Sequence, residues 1–426
     1  MMGQLQVIAV IVIFLAAYGL IISEKIHRAL AALCGALLLI VLGIFGQQEA
    51  VAHIDFNTLG LLLGMMLVVG ITSRSGLFEY LAAWAVRIAR GEPFMLLLLL
   101  SMTTALVSAL LDNVTTILLL VPITISVAED LELPPYPFLF SEIIASNIGG
   151  AATLIGDPPN IMIGSAAGLT FMNFLQNLGP VILAIILVAV LYFWLLWGRR
   201  MRVNREQRLK AMKLAPEEQI ENWRLLRQSL MVLGLIVLAF LLQRVLHLEA
   251  ATIALGGAAL LLVVTHTDPE EALLSVEWPT ILFFLGLFVM VGALERVGAI
   301  AALAGTTLRI TGNSPVLATA TILWFSALAS SFLDNIPFTA AMIPLIKDVG
   351  TMTGMPLQPL WWALALGACL GGNGTLIGAS ANITAAGIAE RNGYPFTFTE
   401  YTRVAFPLML LSILISHAYL YFGWLR

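Results

Sequence analysis

The sequence predicts an all-α membrane protein built as an inverted-topology repeat of two five-crossing halves. Three observations carry this: apolar composition, segments of membrane-spanning length, and recurrence of the first half in the second. Of 426 residues, 60% are hydrophobic and 11% charged, against roughly 45–50% and 25% in an average soluble domain. A water-soluble globule is therefore excluded. The 35 glycines and 18 prolines are scattered through apolar sequence rather than gathered in tails, which also excludes low-complexity disorder. Net charge is −4 and the one dense basic cluster is a short loop, so a nucleic-acid partner is not expected. The two cysteines, Cys34 and Cys369, sit in apolar segments, too few for a disulfide framework or a zinc site. No cofactor is expected, and no metal beyond a transported Na+.

A membrane-crossing helix needs about 20 mostly apolar residues. In chain order the plain candidates are 4–22, 26–46, 56–73, 178–198, 227–246, 249–265, 278–294 and 404–424. The first lacks a basic flank before it and a small-residue cleavage site after it, so it reads as a retained span. Residues 77–90 and 299–311 are amphipathic and suit the membrane interface. Between these lie apolar stretches interrupted by Asp, Asn, Gly and Pro. They read as a re-entrant hairpin (93–130) and a broken helix (136–168) in the first half, with counterparts at 314–350 and 358–391. The halves are 1–198 and 227–426, joined by a basic linker, 199–226.

At an offset of 222 residues the halves align without a gap from Gly35/Gly257 to Asn160/Asn382, with 36 identities in 126 pairs. Composition alone gives roughly one in ten. The matches include structure-breaking residues such as Gly64/Gly286, Pro93/Pro315, Pro122/Pro344, Gly149/Gly371 and Gly156/Gly378, which shared hydrophobicity does not explain. With an odd number of crossings per half, the second copy enters upside down. Inverted repeats place substrate and coupling-ion sites near the midplane, on discontinuous helices.

Orientation follows from Lys and Arg, which cytoplasmic loops retain. The stretch from Arg199 to Arg227 holds nine of them; setting it inside puts sixteen basic residues in the cytoplasm and five outside. Both termini then lie on the non-cytoplasmic side, in a multi-pass protein of the cytoplasmic (inner) membrane.

Two stretches per half carry the chemistry. The tips Leu111-Asp112-Asn113 and Leu333-Asp334-Asn335 fall midway along the hairpins. Non-helical backbone at membrane depth survives only against protein or a water-filled cavity, and an Asp at the bilayer centre costs about 2.5–3.5 kcal/mol on insertion scales. Asp112, Asn113, Asp334 and Asn335 are therefore candidate ion or substrate ligands, with helix capping as a compatible role. The second pair runs from Gly149 to Asn160 and from Gly371 to Asn382, where Gly and Pro unwind the helix. Asp157 before Pro158 signals a half-helix starting near Pro158, and the freed carbonyls offer ion ligands. Thr115, Asn147, Thr153, Asn160, Asn373, Thr375 and Asn382 add polar donors and acceptors around these points.

The repeat is chemically unequal: Asp157 aligns with Ala379 and Glu142 with Leu364. Asp112, Glu142, Asp157 and Asp334 are the proton-coupling candidates, Asp157 foremost. Glu142 serves either as a proton carrier or as a structural link to the hairpin backbone. No Lys or Arg is expected at the midplane in the cavity with Asp112, Asp157 and Asp334. An intramembrane aspartyl protease would need glycine at Leu154, and a passive channel suits whole-chain duplication less well than alternating access. A transporter, not an enzyme, is the expectation.

The Leu-Asp-Asn tips, and above all the run from Gly149 to Asn160, resemble the arsenite-permease and sodium/proton-antiporter branch (ArsB/NhaD type) of the ion transporter superfamily. The Gly-Asp-Pro-Pro-Asn run resembles its arsenite, silicic-acid and P-protein subgroup more than the sodium/proton antiporters. The resemblance spans almost the whole chain and implies a scaffold domain, a transport domain carrying hairpins and broken helices, and elevator-like movement. It implies proton-coupled arsenite or antimonite efflux, with Na+/H+ antiport next and cation-coupled di- or tricarboxylate transport after that. The expected partners are the lipid bilayer and a small inorganic solute or cation, with a homodimer open as an assembly and a soluble ATPase implied by resemblance alone.

Overall fold

The structure is a computed structural model. It describes residues 4–23, 25–198, 201, 203–204, 215–312 and 314–426. Arg199, Arg200, Arg202, Arg205, Arg208, Lys210 and Lys213 of the basic linker lie outside the described residues. No strand occurs among the described residues, and nine helices there are long and apolar enough to cross a membrane.

The first half runs α1 (Gln4–Ser23), α2 (Arg28–Val41), α3 (Gln47–Ala52), α4 (Phe56–Ser73), α5 (Leu77–Ala89), α6 (Pro93–Leu110), α7 (Asn113–Asp130), α8 (Tyr136–Gly150), α9 (Pro158–Ala167) and α10 (Phe171–Phe193). The second runs α11 (Trp223–Leu241), α12 (Gln243–Leu246), α13 (Ala250–Thr265), α14 (Pro269–Leu273), α15 (Trp278–Arg296), α16 (Ala299–Thr311), α17 (Pro315–Phe332), α18 (Asn335–Thr353), α19 (Gln358–Gly371), α20 (Ser380–Arg391) and α21 (Phe398–Leu420). Proline opens α6, α9 and α17, where its missing N–H is no loss.

Several spans differ from their sequence bounds. The helix within 26–46 covers 14 residues, because Gly43 turns at φ 67° and the Ile44 amide folds back onto the Leu39 carbonyl at 3.1 Å. The helices containing 178–198 and 404–424 start earlier, at Phe171 and Phe398. Each is fixed by a capping box, Thr170 with Asn173 and Thr397 with Glu400, whose polar residues lower the apolar signal of the first turn.

Two packed sets of helices result. In one, α2 lies along α15 and α4 along α13, with α1 against α2 and α11 against α13. In the other, α6 lies along α8 and α17 along α19, while α7 meets α20 and α18 meets α9. Each set thus pairs elements of one half with elements of the other.

Candidate functional site

The two helix pairs α6–α7 and α17–α18 are held to α8 and α19 by matching devices. The Ser108 hydroxyl donates to the Ser146 carbonyl at 2.6 Å, and Ser330 to the Ala368 carbonyl at 2.7 Å. Gly149 and Gly371 lie so close to the backbone of Ala105 and Ala327 that a Cβ at either would overlap it. Thr153 donates to the Ala109 carbonyl and Thr375 to the Ser331 carbonyl, which ties each helix interruption to the end of the neighbouring hairpin arm.

Within the interruptions the amides of Asn160 and Asn382 occupy the freed carbonyls. Asn160 Nδ2 donates to the Thr153 carbonyl at 2.8 Å and the Ala151 carbonyl at 3.3 Å; Asn382 Nδ2 donates to the Gly372 and Thr375 carbonyls at 2.8 and 2.9 Å. Carbonyls that the sequence offers as ion ligands are thus already partnered, because backbone acceptors buried without water must be satisfied internally.

The interruptions and tips are joined by a buried amide network. Asn113 Nδ2 donates to Asn147 Oδ1 at 2.9 Å, and Asn147 Nδ2 donates at 2.9 Å to both Asn373 Oδ1 and Asn382 Oδ1. Three helices, α7, α8 and α20, and the interruption before α20 meet through these four side chains, so both halves contribute. The Cys369 thiol reaches Asn160 Oδ1 at 3.5 Å.

The carboxylates fall into distinct surroundings. Asp157 is fully buried at the N-terminus of α9, yet it makes no capping hydrogen bond; instead Asn335 Nδ2 donates to both its oxygens at 3.3 Å. Among the described residues no basic side chain lies within ion-pair distance of it. Asp112 caps α7, accepting from the Thr115 amide at 2.8 Å and the Thr115 hydroxyl at 2.5 Å. Thr115 therefore orients Asp112. Glu142 is fully buried and accepts from the Thr124 hydroxyl at 2.7 Å, a side-chain link into α7. Among the described residues no three His, Cys, Asp or Glu side chains gather as a metal cluster.

Asp334 overturns the expectation that no Lys or Arg lies in the cavity with these carboxylates. Arg28 Nη1 lies 3.2 Å from Asp334 Oδ2, and Ser380 donates to the same oxygen at 2.9 Å. Arg28 and Ser380 are functional candidates that the sequence reading missed. A basic residue at the start of a span reads as an interfacial anchor; the signal that singles it out is the alanine found 222 positions on, at Ala250.

Two cavities flank the site. One, of about 260 Å³, is lined by Tyr18, His27, Arg28, Asp334, Ser380 and Thr384. The other, of about 610 Å³, is lined by Asn57, Ser165, Gln243, Arg244, His247 and Glu249. They share positions 222 apart, among them Ile26 with Leu248 and Ile383 with Ile161.

The profile of a family described as citrate transporters (CitMHS) matches residues 18–367. An uncharacterized transporter of Mycobacterium bovis is 43% identical over 425 residues, 98% of each chain. The 46 kDa membrane protein of Mycobacterium leprae is 41% identical over 424 residues, again 98% of each. The P protein of Homo sapiens is 37% identical over an alignment that takes in 98% of this chain and 60% of that protein. Among solved structures, the Alcanivorax borkumensis YdaH transporter superposes with a TM-score of 0.65 at 16% identity, over 94% of this chain and 99% of that one, and shares the fold. The chain belongs to the citrate transporter family and is a secondary transporter.

Proposed function

We propose that this member of the citrate transporter family is a proton-coupled exporter of arsenite and antimonite, with Asp157 as the coupling group. One observation carries the reading. Asp157 is fully buried, and its side-chain partners are the Asn335 amide and the Cys369 thiol, not a cation. A buried charge without a counterion costs several kcal/mol or more and is neutralised instead. A proton does this in one loaded form. In the other, a neutral trihydroxy acid of arsenic or antimony offers O–H donors to the carboxylate. The empty ionised form is the costly one, so exchange of proton for solute is favoured over slippage.

The resemblance of the Gly149–Asn160 run to arsenite permeases supports this solute. So does the charge balance: Arg28 pairs with Asp334, and among the described residues no basic side chain pairs with Asp112 or Asp157, which disfavours a multiply charged anion. A cation-coupled carboxylate transporter is the second reading, favoured by Arg28 and His27 in the 260 Å³ cavity and by the family's description. Na+/H+ antiport would use the same Asp157.

The architecture we propose is an inverted repeat of five-crossing halves, 1–198 and 227–426, moving by an elevator in which the α6–α9 and α17–α20 elements travel against the α2, α4, α13 and α15 set. Three ion pairs support the assignment of sides. Arg74–Glu271 at 2.9 Å, Arg87–Glu217 at 3.2 Å and Arg296–Glu49 each join segments that the basic-residue count puts on one side. The 222-related cavities fit access from opposite sides.

Purified protein in proteoliposomes, given imposed pH or sodium gradients, tests the function. Arsenite movement driven by the pH gradient is expected. Sodium-driven citrate accumulation, or Na+/H+ exchange indifferent to arsenite, contradicts it.

A further inference from the structure

Arg28 stands apart from the coupling role of Asp157. It opens α2, in the set formed with α15, and α15 holds it in place: its Nη2 donates to the Thr280 hydroxyl at 3.3 Å, and its guanidinium sits 5.3 Å over the Phe283 ring. Thr280 is in turn fixed by Glu277 at 3.2 Å. From that anchorage Nη1 reaches across to the other set, to Asp334 at the α17–α18 tip and to Ser380 at the start of α20. Asp334 also caps α18 through the Ile336 amide at 3.0 Å, so its carboxylate is bound on three sides. Among the described residues the related tip has no such arrangement. At the 222 offset Arg28 corresponds to Ala250 and Ser380 to Pro158, and Asp112 is held within its own helix by Thr115.

We infer that Arg28 is a positioning residue of the transport site: it clamps the Asp334 carboxylate, and with it the α17–α18 tip, to α2, and leaves Asp112 and Asp157 as the carboxylates available to a coupling cation. The contact bridges the two packed sets, so it must break when they move relative to each other. It is half-screened rather than deeply buried, with 24% and 15% of the two side chains exposed, which suits an ion pair that opens and closes.

Thiol labelling of Leu333→Cys in the full-length protein carrying Cys34→Ser tests this without any assumption about the solute, since Cys369 is fully buried. Arg28→Ala is expected to raise the labelling rate about two- to fivefold, the equivalent of one lost contact of this kind. Arg28→Lys is expected to restore most of the protection. Asp334→Asn should give the same rise as Arg28→Ala, and the double variant no more than either. Sodium chloride should slow labelling in Arg28→Ala, where Asp334 is freed for a cation, but not in the double variant. Val114→Cys beside the other tip, half-buried like Leu333, should respond to none of these changes. An unchanged rate in Arg28→Ala overturns the inference, as does a rise in the double variant equal to the product of the single effects. If Arg28→Ala does not yield folded protein, Asp334→Asn carries the test, and an unchanged rate there contradicts the clamp.

Discussion

Asn335 and Asn147 show how much rests on single amides. Asn335 Nδ2 is the donor that both oxygens of buried Asp157 share. Asn335→Ala removes it and leaves a cavity beside the carboxylate. We expect transport to fall at least about tenfold, in keeping with the 1–3 kcal/mol cost of orphaning a buried polar group, while the protein stays monodisperse. Unchanged apparent affinity and rate in reconstituted vesicles would contradict that role. Asn147 is the hub, accepting from Asn113 and donating to Asn373 and Asn382. Asn147→Ala orphans three buried amides at about 1–3 kcal/mol for each group, so the thermal midpoint in detergent should drop by several degrees; a midpoint equal to wild type would count against the network. Cys369→Ser keeps a donor toward Asn160 Oδ1 and should leave arsenite flux nearly unaltered, as an assay of the variant would show.

At the scale of elements, the helix interruption after Gly150 follows from local chemistry. Glycines end α8, and Pro158 with Pro159, whose missing N–H groups are no loss in a first helical turn, open α9, which favours a non-helical stretch between them. The same glycines allow the close approach of α8 to α6. Gly149→Ala forces a Cβ into the Ala105 backbone, an overpacking cost of about 1–3 kcal/mol, and Gly371→Ala does the same at Ala327. Both should lower thermal stability by similar amounts, and a difference between them of more than a few degrees would argue against equivalent packing. What the sequence hides is just as physical. The short α2 is masked because Leu42, Ile44 and Phe45 are apolar whether helical or not, and the turn depends on one left-handed glycine. The Arg28–Asp334 contact joins residues 306 positions apart, and no local period encodes a pair of that kind. The occupation of freed carbonyls by Asn160 and Asn382 is also tertiary: composition marks the residues as polar but not whether they serve an ion or the backbone.

For the whole molecule, the 222-residue repeat reappears as crosswise pairing, with α7 on α20 and α18 on α9, so that each half completes the other. Neither half buries its own interrupted helix alone. In the proposed arrangement the termini share the non-cytoplasmic side, and tags at both ends should be accessible from outside intact cells; accessibility of just one would remove the five-crossing scheme. The same crosswise core brings Asp157 of one half against Asn335 of the other, which puts the coupling group where movement of either half alters its surroundings. The direct measurement is proton movement in proteoliposomes, read with an internal pH dye while arsenite is added, for wild type and Asp157→Asn side by side. Coupling through Asp157 requires solute-dependent proton flux in the wild type and none in a folded Asp157→Asn; near-normal proton flux in the variant would rule that coupling out.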